Sequence, residues 1–245
     1  MSLIREKQYV CKVCGFNMIG YYPEHCPFCR ALNVNFITAE ECSENFKVLE
    51  TEVSDKVVQL KSSPPLGLEH LAYRIEAGNQ IIWVDCPSTF SKDIERMDKI
   101  MFTHHHFLGA SNLYRSYYSA FLWIHEEDSK QILAQKYPFD KKFTNDYNYS
   151  EIKAFHIDGH TPGFTFYIFE DALFICDYIT ISGGNMHFNP YGPREKTINS
   201  ANVLNNILNK HNLRKVCGFD YVFDYSDWKA KFDNLLDFEK IQSLF

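Results

Sequence analysis

Hydrophobic and polar positions change rhythm once along this chain. Residues 1 to about 45 carry no long periodic segment and are rich in turn residues, and 38–46 reads as a short connector. From about Glu50 onward, short runs rich in branched residues begin. Runs at 57–60, 70–75 and 81–84 predict strands, with a proline-rich loop at 63–67 between the first two. Further on, the pattern predicts a helix at 92–99, a strand at 100–102, a helix at 110–118, a strand at 120–124 and a helix at 127–136. Strands follow at 152–157, 164–169 and 173–176. The clearest amphipathic helix is 197–210, with Ile198, Val203, Leu204, Ile207 and Leu208 on one side. A strand at 215–217 and a helix at 227–238 close the chain. Alternating strands and helices predict a layered α/β domain over 46–245, preceded by a small domain over 1–45. No internal repeat or low-complexity tract interrupts the pattern.

Composition narrows the function classes. The chain has 245 residues, 45% of them hydrophobic, enough for an ordinary core. The net charge of −6 and the lack of a long Lys/Arg stripe argue against a nucleic-acid backbone as partner. No apolar run is long enough to span a bilayer, and 1–10 is charged and lacks the apolar core of a signal peptide. A soluble, cytoplasmic protein with no membrane partner is expected.

Cysteine usage supplies the first chemistry. Cys11, Cys14, Cys26 and Cys29 form two C-x-x-C knuckles separated by eleven residues. One tight turn presents two sulfurs to an ion, and two turns complete a tetrahedron suited to zinc or iron. Such a site would also staple a segment too short to fold on its own core. Gly15 lets the first turn close, whereas Arg30 stands where a small turn residue would be easier in the second. The spacing alone leaves a structural zinc ribbon and an iron centre equally open. Cys42, Cys86, Cys176 and Cys217 are scattered and read as small buried hydrophobes.

The motifs Y-V-C-K-V-C-G at 9–15 and P-E-H-C-P-F-C at 23–29, with the trailing Phe36, resemble the rubredoxin-like domain of rubrerythrins. The resemblance implies one iron held by Cys11, Cys14, Cys26 and Cys29 and acting as a one-electron carrier. Zinc occupies the same geometry.

Three further fragments carry metal-type residues: T-H-H-H-F-L-G at 103–109, G-H-T-P-G at 159–163, and Asp177 after the apolar run 173–176. In this order they resemble the metallo-β-lactamase superfamily, whose signature is T-H-x-H-x-D-H, then G-H-T-P-G, a strand ending in Asp and a final G-H. The resemblance implies an αββα sandwich over 46–245. It also implies a first metal position of His104, His106 and His160, a bridging Asp177, and an Asp85 that supports the ligand loops. The superfamily's second metal position is missing its ligands: its D-H pair is Leu108 and Gly109 here, and its last histidine falls on Phe219 or Asp220. A mononuclear site of three histidines and one aspartate, holding zinc or iron, follows. A metal with three imidazoles and an open position brings the acidity constant of bound water near neutral. Asp177 and His105 are the catalytic candidates, with His187, Asp220 and Asp224 as weaker acid/base candidates. Residues 183–192 read either as a loop over the site or as a surface connector.

Two function classes follow. One is a metal-dependent hydrolase, or an oxidoreductase fed with electrons by the N-terminal iron, acting on a small-molecule substrate. The resemblance supports the redox branch, because the superfamily includes oxygen- or NO-reducing di-iron proteins that take electrons from rubredoxin; a redox partner is then implied. The other is a non-catalytic scaffold whose only metal is at the cysteines, serving as an electron carrier or structural zinc. β-Lactam hydrolysis is not expected of an incomplete site. Electron exchange between the two sites would need them close together, within a chain or across a homodimer.

Overall fold

The computed structural model describes residues 6–68 and 70–242, so part of the charged N-terminal stretch lies outside the described residues. The chain divides into two compact units, Met1–Phe143 and Thr144–Phe245. Among the described residues, no helix is long and apolar enough to cross a membrane.

The first unit opens with a three-stranded antiparallel sheet in which Gln8–Cys11 lies between Asn17–Ile19 and Phe36–Thr38. The predicted connector at 38–46 is instead a helix, Ala39–Asn45. Thr38 Oγ1 accepts from the Glu41 amide at 3.1 Å, and Glu41 Oε2 accepts from the Thr38 amide at 2.8 Å. This capping box satisfies two orphan donors and makes so short a helix worthwhile. The sequence signal, T-x-x-E, was present but too short to show a period.

A seven-stranded sheet follows, with its strands in chain order from Lys47–Ser54 to Lys141–Phe143. The first four pair antiparallel and the last four parallel, with Gln80–Val84 shared. Lys47–Ser54 escaped the pattern because most of its residues are exposed, which leaves no hydrophobic alternation to read. The predicted helix at 92–99 does not form. Tyr118 Oη donates to the Lys92 and Ile94 carbonyls, and the Asp98 amide donates to the Ile81 carbonyl at 2.8 Å. Tertiary partners thus take the groups a helix would have used. The helix expected at 127–136 is only Glu126–Ser129. Trp83, Phe102, Tyr114, Leu122 and Ile124 sit in the core of this unit.

Buried amides tie the cysteine-bearing sheet to the rest of the first unit. Asn112 Nδ2 donates to Gln8 Oε1 and Gln8 Nε2 to Asn17 Oδ1, both at 2.6 Å. Asn17 Nδ2 then donates to the carbonyls of Ser88 and Gly15 at 3.0 Å. Buried polar groups are tolerated when bonded in this way, and such a network fixes one arrangement of the elements it joins.

The second unit holds a six-stranded sheet running from Tyr147–Tyr149 to Val222–Asp224. Its strands Thr165–Phe169 and Ala172–Cys176 are buried along their whole length, which explains their unbroken apolar runs. Ala172–Cys176 pairs parallel with Lys215–Gly218, and helix Arg194–Leu208 lies in the connection a parallel pair requires. The buried face of that helix is Thr197, Ala201, Leu204 and Leu208. Val203, expected on it, is 51% exposed. Much of the loop expected at 183–192 is a hairpin, Ile179–Ser182 with Asn185–Phe188. Gly183 and Gly184, both at positive φ, form its two-residue turn. The last helix, Tyr225–Gln242, buries Trp228, Phe232 and Leu236.

Candidate metal centres

The two knuckles share one backbone design. The Gly15 amide donates to the Cys11 carbonyl at 2.7 Å, and the Arg30 amide to the Cys26 carbonyl at 2.9 Å. The residue after each knuckle is left-handed, Gly15 at φ +78° and Arg30 at φ +66°. Arg30 is exposed, so its side chain costs only the strain of that conformation. At Gly15 a Cβ would lie 2.4 Å from Ser88 Oγ and 3.0 Å from Ser88 Cβ, so a side chain there would have to displace Ser88. Amides of Val13 and Cys14 donate to the Cys11 sulfur, and amides of Phe28 and Cys29 to the Cys26 sulfur.

The sulfur geometry suits a tetrahedral ion. Cys11 Sγ lies 3.7 Å from Cys29 Sγ, and Cys14 Sγ lies 3.6 Å from Cys26 Sγ. All four sulfurs fall within 4.8 Å of one another. A tetrahedron with metal–sulfur bonds of about 2.3 Å has edges of about 3.8 Å. Hydrogen bonds from Cys14 and Cys26 hold the Cys11 thiol down, while the same contacts and burial push Cys14 up. A cation resolves this conflict by taking all four as thiolates. Phe16, Met18 and Phe36 pack around the cluster.

In the first unit, Thr103 to His106 follow strand Lys99–Met101. Buried Asp85, itself left-handed at φ +59°, accepts from the Thr103 amide at 2.9 Å and from its hydroxyl at 2.8 Å. The Thr103 hydroxyl also sits 3.0 Å from His104 Nδ1. Asp85 therefore supports the histidine loop as the resemblance implied, and His104 would meet a metal through Nε2. His106 is half-buried, with its ring centroid 4.7 Å from that of His104. His105 Nδ1 is hydrogen-bonded to Asp128, which is wholly buried. Leu108 belongs to the hydrophobic core, and Gly109 (φ +50°) is pressed onto the chain at 86–87. A Cβ there would lie 2.2 Å from the Cys86 carbonyl oxygen and 2.4 Å from that of Pro87.

In the second unit, His160 occupies a turn closed by tight glycine contacts. A Cβ on Gly159 would lie 2.7 Å from Thr197 Cα, and one on Gly192 2.6 Å from the His160 carbonyl oxygen. His160 Nδ1 lies 2.8 Å from the Tyr191 carbonyl, which makes Nδ1 the protonated nitrogen and leaves Nε2 as the atom that could meet a metal. Nε2 stands 3.3 Å from Asp177 Oδ2. Asn189 Nδ2 donates to the same carboxylate oxygen at 2.9 Å and to the Asp177 carbonyl at 3.0 Å. Of the weaker acid/base candidates, His187 is exposed on the hairpin, Asp220 is exposed, and Asp224 pairs with Lys215 at 2.7 Å.

Among the supporting residues, Asn189 and Tyr191 lie in the stretch 183–192 that the sequence offers as a loop over the site, whereas Asp128 lies outside it. Asp128 sits in an acidic triplet that reads as a solvated helix start, and Tyr191 contributes only a carbonyl. No local pattern marks either one.

No family model matches the sequence, and no curated protein matches it. Solved structures do match in fold. A metallo-β-lactamase from Pontibacter korlensis is 13% identical, with a TM-score of 0.62 over 78% of this chain and 99% of that one. DIM-1 metallo-β-lactamase is 13% identical, with a TM-score of 0.61 over 79% of this chain and 98% of that one. An archaeal metallo-β-lactamase superfamily protein from Sulfolobus tokodaii is 14% identical, with a TM-score of 0.51 over 72% and 80%. The chain thus has the metallo-β-lactamase fold, with a four-cysteine cluster at its N-terminal end.

Proposed function

We propose that this chain is a metalloenzyme in which residues 46–245 form the reaction domain and residues 1–45 carry an iron that relays electrons. In this reading His104, His106, His160 and Asp177 together hold one metal ion, zinc or iron, that acts on a small-molecule substrate. One observation carries the reading: both halves of the ligand set are prepared in the same manner. Thr103 fixes Nδ1 of His104, the Tyr191 carbonyl fixes Nδ1 of His160, and Asn189 fixes Asp177. Partners that orient ligands in this way accompany metal sites and raise ligand basicity. Bound there, the metal would supply Lewis acidity and an acidified water, or a redox-active ion.

Occupancy by a single ion is supported by Leu108 and Gly109. One is committed to the core and the other to a backbone contact that excludes any side chain. With no aspartate at 108, His105 takes over as proton acceptor, its ring held by buried Asp128. The solved structures sharing the fold include metallo-β-lactamases, which supports a hydrolase-type site. The thiolate cluster suits a reducing compartment such as the cytoplasm. The competing reading, a scaffold with metal only at the cysteines, draws on the same loss of position 108. Elemental analysis separates the two. The protein is expected to hold about two metal ions per chain and His104→Ala about one, with the cysteine centre retained. A single ion in the unmodified protein would establish the scaffold.

A further inference from the structure

The second knuckle does more than hold sulfur. Phe28 lies between its two cysteines, and its backbone amide donates to the Cys26 sulfur. The Phe28 ring meets the His106 ring edge-on, with centroids 5.4 Å apart. On its other side it stacks on Phe16 at 6.3 Å and 9°. Phe28 is therefore in contact with a cysteine ligand and with a histidine of the second candidate centre, both in the first unit.

The first knuckle provides an internal comparison. Val13 occupies the same place in its turn, and its amide donates to Cys11 as that of Phe28 does to Cys26. Yet Val13 is 40% exposed. A turn that only held metal would need no aromatic ring at either position. Of the two equivalent positions, the one that carries a ring is the one that faces a histidine.

We infer that Phe28 is the bridge by which an electron leaves the cysteine-bound iron and enters the histidine site through His106, so that the proposed metalloenzyme is an oxidoreductase whose electron carrier is built into its own chain. The inference rests on the reading in the preceding subsection. Electron tunnelling weakens steeply with distance, and a bonded and contacting path from Cys26 through Phe28 to His106 shortens the gap through space. The step balances as one electron: iron(II) at the cysteines becomes iron(III), and iron(III) at the histidines becomes iron(II). Amide donation to the sulfurs, by Phe28 among others, is a lever on the potential of the donor.

The test uses the full chain reconstituted with iron at both centres and oxidised. A pulse of methyl viologen radical reduces the cysteine-bound iron, and its ferric thiolate absorption bleaches. Recovery of that absorption reports passage of the electron onward. Recovery is expected to be first order and independent of protein concentration. Phe28→Ala should slow it at least about tenfold, Phe28→Trp should restore it, and Val13→Ala should leave it unchanged. Iron content and the ferric spectrum before the pulse should be the same in all of them, which a merely structural role for the ring would not predict alongside a slowed rate. An unchanged rate in Phe28→Ala, or a rate proportional to protein concentration, overturns the bridge. Two irons with no recovery at all overturn it while leaving the metalloenzyme standing. Iron at the cysteines alone overturns both.

Discussion

Replacing Cys11 and Cys14 by serine should destabilise the first unit by about 4 kcal/mol or more and lower Tm by about 10 °C or more. The size follows from what the N-terminal segment is made of. The cluster around its cysteines consists of Cys11, Cys14 and Cys26 with Phe16, Met18 and Phe36, so half of that cluster is sulfurs that would face an ion. Structural metal binding contributes on the order of 10 kcal/mol, far beyond what so small an apolar cluster supplies. The loss should spread past residue 45, because Gln8 and Asn17 are bonded to Asn112 and Ser88 across the first unit. Calorimetry of the double variant should therefore show an early transition or a lowered main one. A Tm within about 2 °C of the parent would mean that the knuckles do not staple the fold.

Gly109→Ala should cost about 3 kcal/mol or more. The left-handed conformation alone costs an alanine about 1–2 kcal/mol. The added Cβ would also meet two carbonyl oxygens at 2.2 and 2.4 Å, and neither is the end of a flexible side chain. The backbone there has little room to yield. The Tyr137 hydroxyl donates to the Gly109 carbonyl at 2.9 Å, and the Ala110 amide to the Pro87 carbonyl at 2.9 Å. The same geometry bears on function. In the motif this chain resembles, position 109 is a histidine of the second metal site. Gly109→His, even combined with Leu108→Asp, should therefore yield unfolded or weakened protein rather than a second ion in the histidine centre. Denaturant titration of Gly109→Ala checks the cost, and a midpoint matching the parent would show that the chain at 86–87 can move aside.

Sequence and structure meet most closely where ligands are contiguous. The two knuckles could be read from spacing alone, whereas the grouping of His104, His106, His160 and Asp177 came from the resemblance of their motifs to the metallo-β-lactamase signature. Apolar strands such as Thr165–Phe169 were visible because burial on both faces leaves no polar interruption. What escaped was held by long-range partners. Tyr118 and the Ile81 carbonyl undid a plausible helix at 92–99 by engaging its backbone groups elsewhere. The exposed strand Lys47–Ser54 shows no alternation because neither of its faces is fully covered. The partners of the candidate site residues, Asp128 for His105, Asn189 for Asp177 and Tyr191 for His160, act from 12 to 31 positions away. Nor could spacing reveal that Phe28, a residue inside a knuckle, touches a histidine 78 positions further on. That contact depends on how the cysteine-bearing sheet is bonded to the first unit.

A second metal ion held by nitrogen and oxygen, independently of the cysteine thiolates, should show in X-ray absorption at the metal edge on the Cys11→Ser/Cys14→Ser variant, measured below its unfolding transition. About one ion per chain is expected, with a shell of light ligands at about 2.0–2.1 Å and no sulfur shell at about 2.3 Å. A folded variant that binds no metal, or one whose remaining metal is ligated by sulfur, would contradict this.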